Sequence, residues 1–201
     1  MRKAQENPKA KQSLLDAAES LMLKQGYAAT SVESICQCAQ LTKGSFFHYF
    51  KSKDDLGQAV LKRFCCRSEE KIQEACCNQN EKDPLSRIYG YIDHIIKMSR
   101  DPALKGCLVG TFAQELSDTH PQIRLLCEQS FTKSAKFFHE SLREAKKKYA
   151  PKSQIDVDSL SEYFLAVFEG SLILARAKRN KKIIEESMQH LKRYIKSLFH
   201  Q

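Results

Sequence analysis

Between Thr42 and Phe50 the chain reads Thr-Lys-Gly-Ser-Phe-Phe-His-Tyr-Phe, and wound as a helix at 100° per residue this segment has two distinct faces. Phe46 and Phe50 fall on one of them, while Gly44 and His48 lie roughly 160° from Phe46. The free face therefore carries Lys43, Gly44, Ser45, Phe47 and His48: a cation, a residue without Cβ, a hydroxyl, a flat apolar ring and a hydrogen-bonding ring. The major groove of DNA asks for that mixture, because phosphates need charge and donors, base edges need short polar or methyl contacts, and the helix backbone must come close. A second reactive group is Cys107, which follows Lys105 near the start of an apolar helical run, and both a cation and a helix N-terminus raise the thiolate fraction. The other thiols promise less. Cys36 and Cys38, two apart on a helix, point away from each other. Cys65-Cys66 and Cys76-Cys77 repeat after 11 residues, about 16 Å along a helix and too far for a disulfide or a shared zinc. Glu115, Asp118 and His120 offer one histidine without ligand spacing, so no metal site is expected. No Gly-rich phosphate loop, His-Glu-x-x-His motif or nucleophile elbow occurs, so no catalytic residues and no cofactor are expected and the chain reads as a non-enzyme.

Composition fits a DNA partner. The 201 residues carry 33 Lys+Arg against 24 Asp+Glu, a net charge of +9, and are 42% hydrophobic, enough for a core and unlike disorder-prone sequences. Residues 1–67 hold 11 basic and 6 acidic side chains, net +5, against 22 and 18, net +4, in residues 68–201. Per residue the first third is about twice as positive, as a phosphate-binding module should be. No apolar run approaches a membrane span, Met1 to Gln12 is too polar for a signal peptide, and the eight cysteines then read as reduced thiols, which points to a soluble cytoplasmic protein.

Seven Gly and five Pro are too few for a turn-rich β fold, and the apolar periodicity is helical throughout. Leu14, Ala17, Ala18, Leu21 and Met22 mark a first helix over 9–25, stopped by Gly26. Thr30-Ser31-Val32-Glu33 matches a capping box, with Glu33 reaching back, and opens a short second helix. Thr42 caps a third, and two short helices about three residues apart read as a helix-turn-helix. Ser52 opens a long fourth helix to about Cys77. Further helices are expected from Pro84 to about Ser99, Gly106 to Leu116, Pro121 to Tyr149, Ile155 to Lys178 and Lys182 to Phe199. The expected fold is all-α with about nine helices. A helix-turn-helix module occupies 1–52, a connecting fourth helix 53–80, and an effector-sensing and dimerisation domain 81–201.

The stretch Thr42-Lys43-Gly44-Ser45-Phe46-Phe47-His48-Tyr49-Phe50-Lys51-Ser52-Lys53-Asp54-Asp55-Leu56, with Gly26-Tyr27 and Thr30-Ser31 before it, closely resembles the DNA-reading module of the tetracycline-repressor (TetR) family. The resemblance implies that Thr42, Lys43, Ser45, Phe47 and His48 face the major groove, that Gly44 permits close approach, and that Thr30, Ser31, Tyr49 and Lys53 contact phosphates, as helix N-termini favour. Two positions depart from the pattern. Gln40 stands where the family usually has Gly, at a cost on the order of 1 kcal/mol if the position needs positive φ. Phe47 stands where a Tyr is common, so a thymine-methyl or sugar contact replaces a hydrogen bond.

The same resemblance implies a homodimer joined through the last two helices, whose apolar stripes are broader than one intrachain contact needs, and a palindromic double-stranded operator. It also implies an effector pocket within helices five to eight, where Tyr89, Phe112, Phe131, Phe164 and Phe168 suit an apolar small molecule. The segment from Lys105 to Asp118, with Gly106-Cys107-Leu108 at its head, looks like that of a subgroup sensing electrophiles such as quinones and aldehydes, which makes Cys107 the implied sensor and puts Arg176 near the place of a lysine in related sensors. The chain is thus expected to be a sequence-specific transcriptional regulator, a repressor released by a small molecule or by cysteine modification. A helical enzyme and a non-specific architectural DNA binder are the competing classes.

Overall fold

The structure, a computed structural model, describes residues 8–76 and 83–199, and for 72–76 the backbone alone. Cys77 and the side chain of Cys76 therefore lie outside the described residues. Within them the chain forms α1 (Pro8–Gln25), α2 (Val32–Cys38), α3 (Lys43–Tyr49), α4 (Lys53–Cys76), α5 (Pro84–Ser99), α6 (Leu108–Leu116), α7 (Pro121–Tyr149), α8 (Val157–Ala177) and α9 (Lys182–Leu198), with no strand among the described residues.

Local chemistry sets most boundaries. α1 ends where Gly26 turns to φ +88° and its N–H bonds the Met22 carbonyl at 3.0 Å, the left-handed stop that glycine adopts without penalty. The Ser52 hydroxyl accepts from the Asp55 N–H at 3.1 Å ahead of α4. Asp83 caps α5 by accepting from Ser86 N–H at 2.9 Å, with Pro84 as the first helical residue, a position where its missing N–H goes unnoticed. Two starts fall later than the sequence pattern suggests. Gly106 holds φ +128°, outside helical space, so α6 begins at Leu108. Asp156 takes the cap of α8 by accepting from Ser159 N–H at 3.0 Å, so Ile155 stays outside that helix.

The chain divides into two compact units. The first comprises residues up to Cys66 together with Leu108–Cys127. Here α1, α2 and α3 pack on one another, and α6 packs on α1. Leu14, Met22, Ile35, Phe46, Leu56 and Phe112 are among its fully buried side chains. Arg63 on α4 ties α4 to α1, donating to Asp16 and to Glu19 at 2.8 Å each. The second unit comprises Arg67–Cys107 and Glu128–Gln201. α9 packs against both α5 and α8, and Ile88, Ile92, Phe138, Phe164, Met188 and Leu191 fill its core. Phe138 and Phe164 stack with ring centroids 4.3 Å apart, and Tyr91 meets both rings.

Candidate functional site

The helix-turn-helix is built from two caps and a strained turn. Ser31 is the N-cap of α2: its hydroxyl accepts from Ser34 N–H at 3.0 Å, and the Ser34 hydroxyl accepts from Ser31 N–H at 3.0 Å. The capping box is therefore Ser31 with Ser34, one residue later than Thr30 with Glu33. Thr30 is 0% exposed and its hydroxyl donates to the Gly26 carbonyl at 2.7 Å, which takes its side chain out of reach of any phosphate and corrects its expected role. Glu33 instead stands 3.5 Å from the Lys43 ammonium, both being exposed, and so exposed a pair contributes little.

After α2 the Gln40 N–H bonds the Gln37 carbonyl at 3.2 Å and the Leu41 N–H bonds the Cys36 carbonyl at 2.9 Å, the paired bonds of a Schellman ending. Gln40 sits at φ +55°. The position does need a left-handed residue, and the chain supplies one with a Cβ.

Thr42 then caps α3 by accepting from Ser45 N–H at 3.1 Å, and the Cys36 thiol donates to the Thr42 carbonyl at 3.7 Å. Cys36 is buried, and burial pushes its thiol up from the ordinary value, so it holds the turn in place rather than reacting. On α3, Phe46 is 0% exposed while Phe47 is 58% exposed. Thr42, Lys43, Gly44 and His48 are exposed too, with Ser45 and Tyr49 half-buried. The His48 and Tyr49 rings meet edge to face at 4.7 Å.

Gly44 is informative because nothing inside the chain requires it. Its φ is not positive, and an added Cβ would meet only Thr42 Oγ1, at 3.6 Å. A glycine within a helix costs up to about 1 kcal/mol against alanine, and Gly44 is the second residue of α3. Gly44→Ala is therefore expected to stabilise the first unit by about 0.5–1 kcal/mol in thermal unfolding while weakening DNA binding through the lost close approach. A variant that gains stability and binds DNA unchanged would remove Gly44 from the interface.

Lys53 is half-buried at the start of α4, with its ammonium donating to the Tyr27 carbonyl at 3.1 Å and lying 4.2 Å from the centre of the Tyr27 ring. Two of its three N–H bonds remain for a phosphate. Tyr27 is the hub of a polar cluster that the sequence did not disclose. Its hydroxyl donates to Asp54, and burial together with that carboxylate pushes the phenol well above its ordinary value. Its N–H and that of Ala28 donate to Glu115 of α6 at 3.2 and 2.9 Å. A Cβ on Gly26 would come within 2.4 Å of the same carboxylate. His120 completes the cluster, 3.6 Å from Asp54 and accepting or donating to the Thr119 hydroxyl at 2.7 Å. Glu115 and His120 thus serve to hold the turn between α1 and α2.

The expected effector residues belong to both units. Phe112 belongs to the first unit, where it meets Tyr27 edge to face at 5.4 Å. In the second unit Phe131 and Phe168 are half-buried against the core, and Phe168 lies parallel to Phe164 at 6.4 Å. Tyr89 faces α9, its ring 5.6 and 5.4 Å from the Lys192 and Lys196 ammonium groups and its hydroxyl buried without a hydrogen-bond partner. Cys107 is half-buried and directly precedes α6, and its thiol hydrogen-bonds the carboxyl of Glu169 on α8. Arg176 is exposed seven residues beyond Glu169, about 10 Å along the helix. Glu169 is an acid that sequence reasoning passed over. A cleft of about 590 Å³ does open in this unit, but Gln154, Asp156, Tyr163, Tyr194 and Leu198 line it and none of the expected effector residues does.

Along α8 and α9 several large apolar side chains remain uncovered. Ile173 and Leu174 are 48% and 47% exposed, as are Tyr163 and Tyr194 to a similar degree, their rings meeting edge to face at 5.9 Å.

A capped recognition helix with an uncovered polar and aromatic face, followed by a second helical unit, defines a helix-turn-helix transcriptional regulator. Residues 14–60 match the model of bacterial regulatory proteins of the tetR family, and residues 84–191 match the tetracyclin repressor-like C-terminal domain. The chain belongs to the TetR family. It is 25% identical over 176 residues to the transcriptional repressor DhaR of Mycobacterium sp. strain GP1, covering 88% of this chain and 87% of that protein. Identity to the repressor NemR of Escherichia coli K12 is 22% over 186 residues, covering 92% and 93%. The crystal structure of reduced E. coli NemR shares the fold with a TM-score of 0.78 over 92% of this chain and 95% of that one, at 22% identity. A TetR regulatory protein from Rhodobacter sphaeroides gives 0.81 over 92% and 97%, at 24% identity. These relatives are regulators of transcription, not enzymes. Among the described residues no helix is long and apolar enough to cross a membrane.

Proposed function

We propose that two copies of the chain pair through α8 and α9 and repress transcription by setting two α3 helices into successive major grooves of a palindromic operator, and that an effector acting at Cys107 releases them. The observation that carries the DNA reading is α3 itself. Its Phe46 side is fully buried while Phe47 stands 58% exposed beside the exposed Lys43, Gly44 and His48. An exposed Phe set among a cation, a glycine and an imidazole on one helix face suits a groove that presents thymine methyls beside phosphates. Thr42, Ser45 and Tyr49 belong to the same contact, with Ser31 and Lys53 as phosphate contacts at two helix starts. The sign of regulation follows the relatives, DhaR and NemR both being repressors. NemR, crystallised in a reduced form, supports a thiol as the responsive group. The Cys107 thiol at the head of α6 is the counterpart proposed here.

The test is competition for DNA. An operator selected from random duplexes should stay bound against excess random DNA at moderate salt, as a specific regulator does and an architectural binder does not. Lys43→Ala and Phe47→Ala are each expected to cost about 1–3 kcal/mol of operator binding and to relax base preference, whereas Lys53→Ala weakens all sequences alike and shallows the salt dependence by about one unit. Equal loss on every sequence from all three would remove α3 from base readout.

A further inference from the structure

Between Arg176 and Lys182 the chain reads Arg-Ala-Lys-Arg-Asn-Lys-Lys, five cations in seven residues with no acid among them. The rest of residues 68–201 carries 17 basic against 18 acidic side chains, so the whole positive surplus of that stretch sits in the turn between α8 and α9. Hydrogen bonds order the turn. Asn180 N–H bonds the Ala175 carbonyl at 2.9 Å and Arg179 N–H the Arg176 carbonyl at 3.3 Å, a Schellman ending to α8. The Asn180 side chain accepts from Lys182 N–H at 3.1 Å. The Lys181 ammonium donates to the Asp101 and Pro102 carbonyls at 2.7 and 3.4 Å, which fixes the turn to the loop after α5.

The residues chosen for this turn work against its stability. Arg179 holds φ +50°, a conformation in which glycine is at ease and a Cβ is strained. Lys181 and Lys182 stand at the start of α9, the positive end of its dipole, which repels cations. Lys178, Arg179 and Lys182 are exposed, and among the described residues no acid lies within ion-pair distance of Lys178 or Arg179. Glu185, the acid near Lys182, is taken by Arg100 in two hydrogen bonds of 2.7 and 3.1 Å. The basic run Lys146-Lys147-Lys148 is different, since Lys146 donates to the Ile155 carbonyl and Lys148 to Asp83. Concentrated like charges without counter-charges in the fold are relieved when a polyanion arrives.

We propose that the turn between α8 and α9 is a second DNA-binding surface, which holds the phosphate backbone of duplex DNA through Lys178, Arg179 and Lys182 without regard to sequence. Charge complementarity selects this partner. Duplex DNA carries one negative charge per about 1.7 Å of axis and releases counterions for each phosphate that a cation neutralises. Asn180, the one side chain of the turn suited to a base edge, has its amide oxygen taken by Lys182 N–H, so the contacts position DNA rather than read it. The proposal rests on the chain being a DNA-binding regulator and adds a surface apart from α3.

The test uses the full chain and a random duplex without an operator, with affinity read by fluorescence anisotropy across a salt series. Lys178→Gln, Arg179→Gly and Lys182→Gln together remove three charges and release the left-handed arginine, so the variant is expected to be at least as stable as wild type in thermal unfolding. Its dependence of log affinity on log salt is expected to be shallower by about two to three units, and its affinity at about 0.1 M salt to fall by about tenfold or more. Lys178→Arg, Arg179→Lys and Lys182→Arg together keep the wild-type slope. A control with Arg143→Gln, Lys147→Gln and Lys152→Gln, all exposed in the same unit, removes the same charge elsewhere and keeps that slope too. An unchanged slope in the turn variant, or an equal loss in the control, would overturn the proposal. So would capture of anionic phospholipid vesicles by the turn with DNA binding untouched. Base preference on a selected operator is expected to be unaltered in the turn variant, and a changed preference would overturn the assignment to backbone contacts. Failure of Lys43→Ala and Phe47→Ala to alter that preference would instead remove α3 from base readout and leave the result for the turn standing.

Discussion

Leu174→Glu is expected to turn the dimer into a folded monomer and to lower operator affinity on the order of a hundred- to ten-thousandfold. Leu174 and Ile173 are 47% and 48% exposed near the C-terminal end of α8, so neither is held by the core of its own chain. Paired across a dimer, each would lose most of its water, and a carboxylate in that place would have to be desolvated without a partner. The effect on DNA is large because one head must then bind alone. A dimer presents two recognition helices about 34–36 Å apart, and the second binds at the effective concentration set by the first. Sedimentation velocity reads the monomer, and fluorescence anisotropy with full and half operators reads the affinity. The monomer should bind a half-site as wild type does. A variant that remains dimeric with unchanged affinity would place the pairing surface elsewhere.

The second large effect is Phe46→Ala. Phe46 is fully buried, meets Phe47 edge to face at 5.1 Å and lies 5.9 Å from Phe50. Truncating such a side chain costs about 3–5 kcal/mol through lost transfer energy and the cavity left behind. α3 has only seven residues, too few to hold a helix without packing, so the loss falls on the element proposed to read DNA. The first unit has its own core, and local stability differs between such units. The expected result is an early unfolding step seen by hydrogen exchange in residues 8–66, with exchange in α8 and α9 unchanged and the dimer intact. Operator binding is lost. Uniform destabilisation of both units would show that they unfold as one.

Helix existence was legible because apolar spacing and caps agree along most of the chain. Where two local signals competed, the sequence could not choose. Thr30 and Ser31 both offer a hydroxyl at the start of α2, and Glu33 fits a box with the first of them. The structure uses Ser31, because Thr30 is drawn inward to the Gly26 carbonyl. Gly106 resembled the opening of α6 in an apolar run, but its φ of +128° could be known only from the fold. Of the reading face, Lys43, Gly44, Phe47 and His48 followed from helical period alone and are exposed. The groups that brace it did not, since Glu115 meets Tyr27 and Ala28 nearly ninety residues away in the chain. Period says which residues are apolar, not which partner they find, and that Phe112 meets Tyr27 came only from the fold. Glu169 had a signal that went unused. A lone acid within an apolar helical run is costly to bury, and such a residue marks a candidate site.

Two positions of the helix-turn-helix carry each other's natural residue: Gln40 occupies a left-handed turn at φ +55° where glycine would be at ease, and Gly44 occupies a helix where alanine would be more stable. Selection in the laboratory will act on them in opposite senses. A library enriched for heat tolerance alone is expected to gather glycine at 40 and alanine at 44, and the second change to yield hardier molecules that hold their operator less tightly. A library enriched for repression alone keeps Gly44 and is indifferent to position 40. Gln40→Gly is thus the change that a breeder of sturdier repressors can take without surrendering the operator.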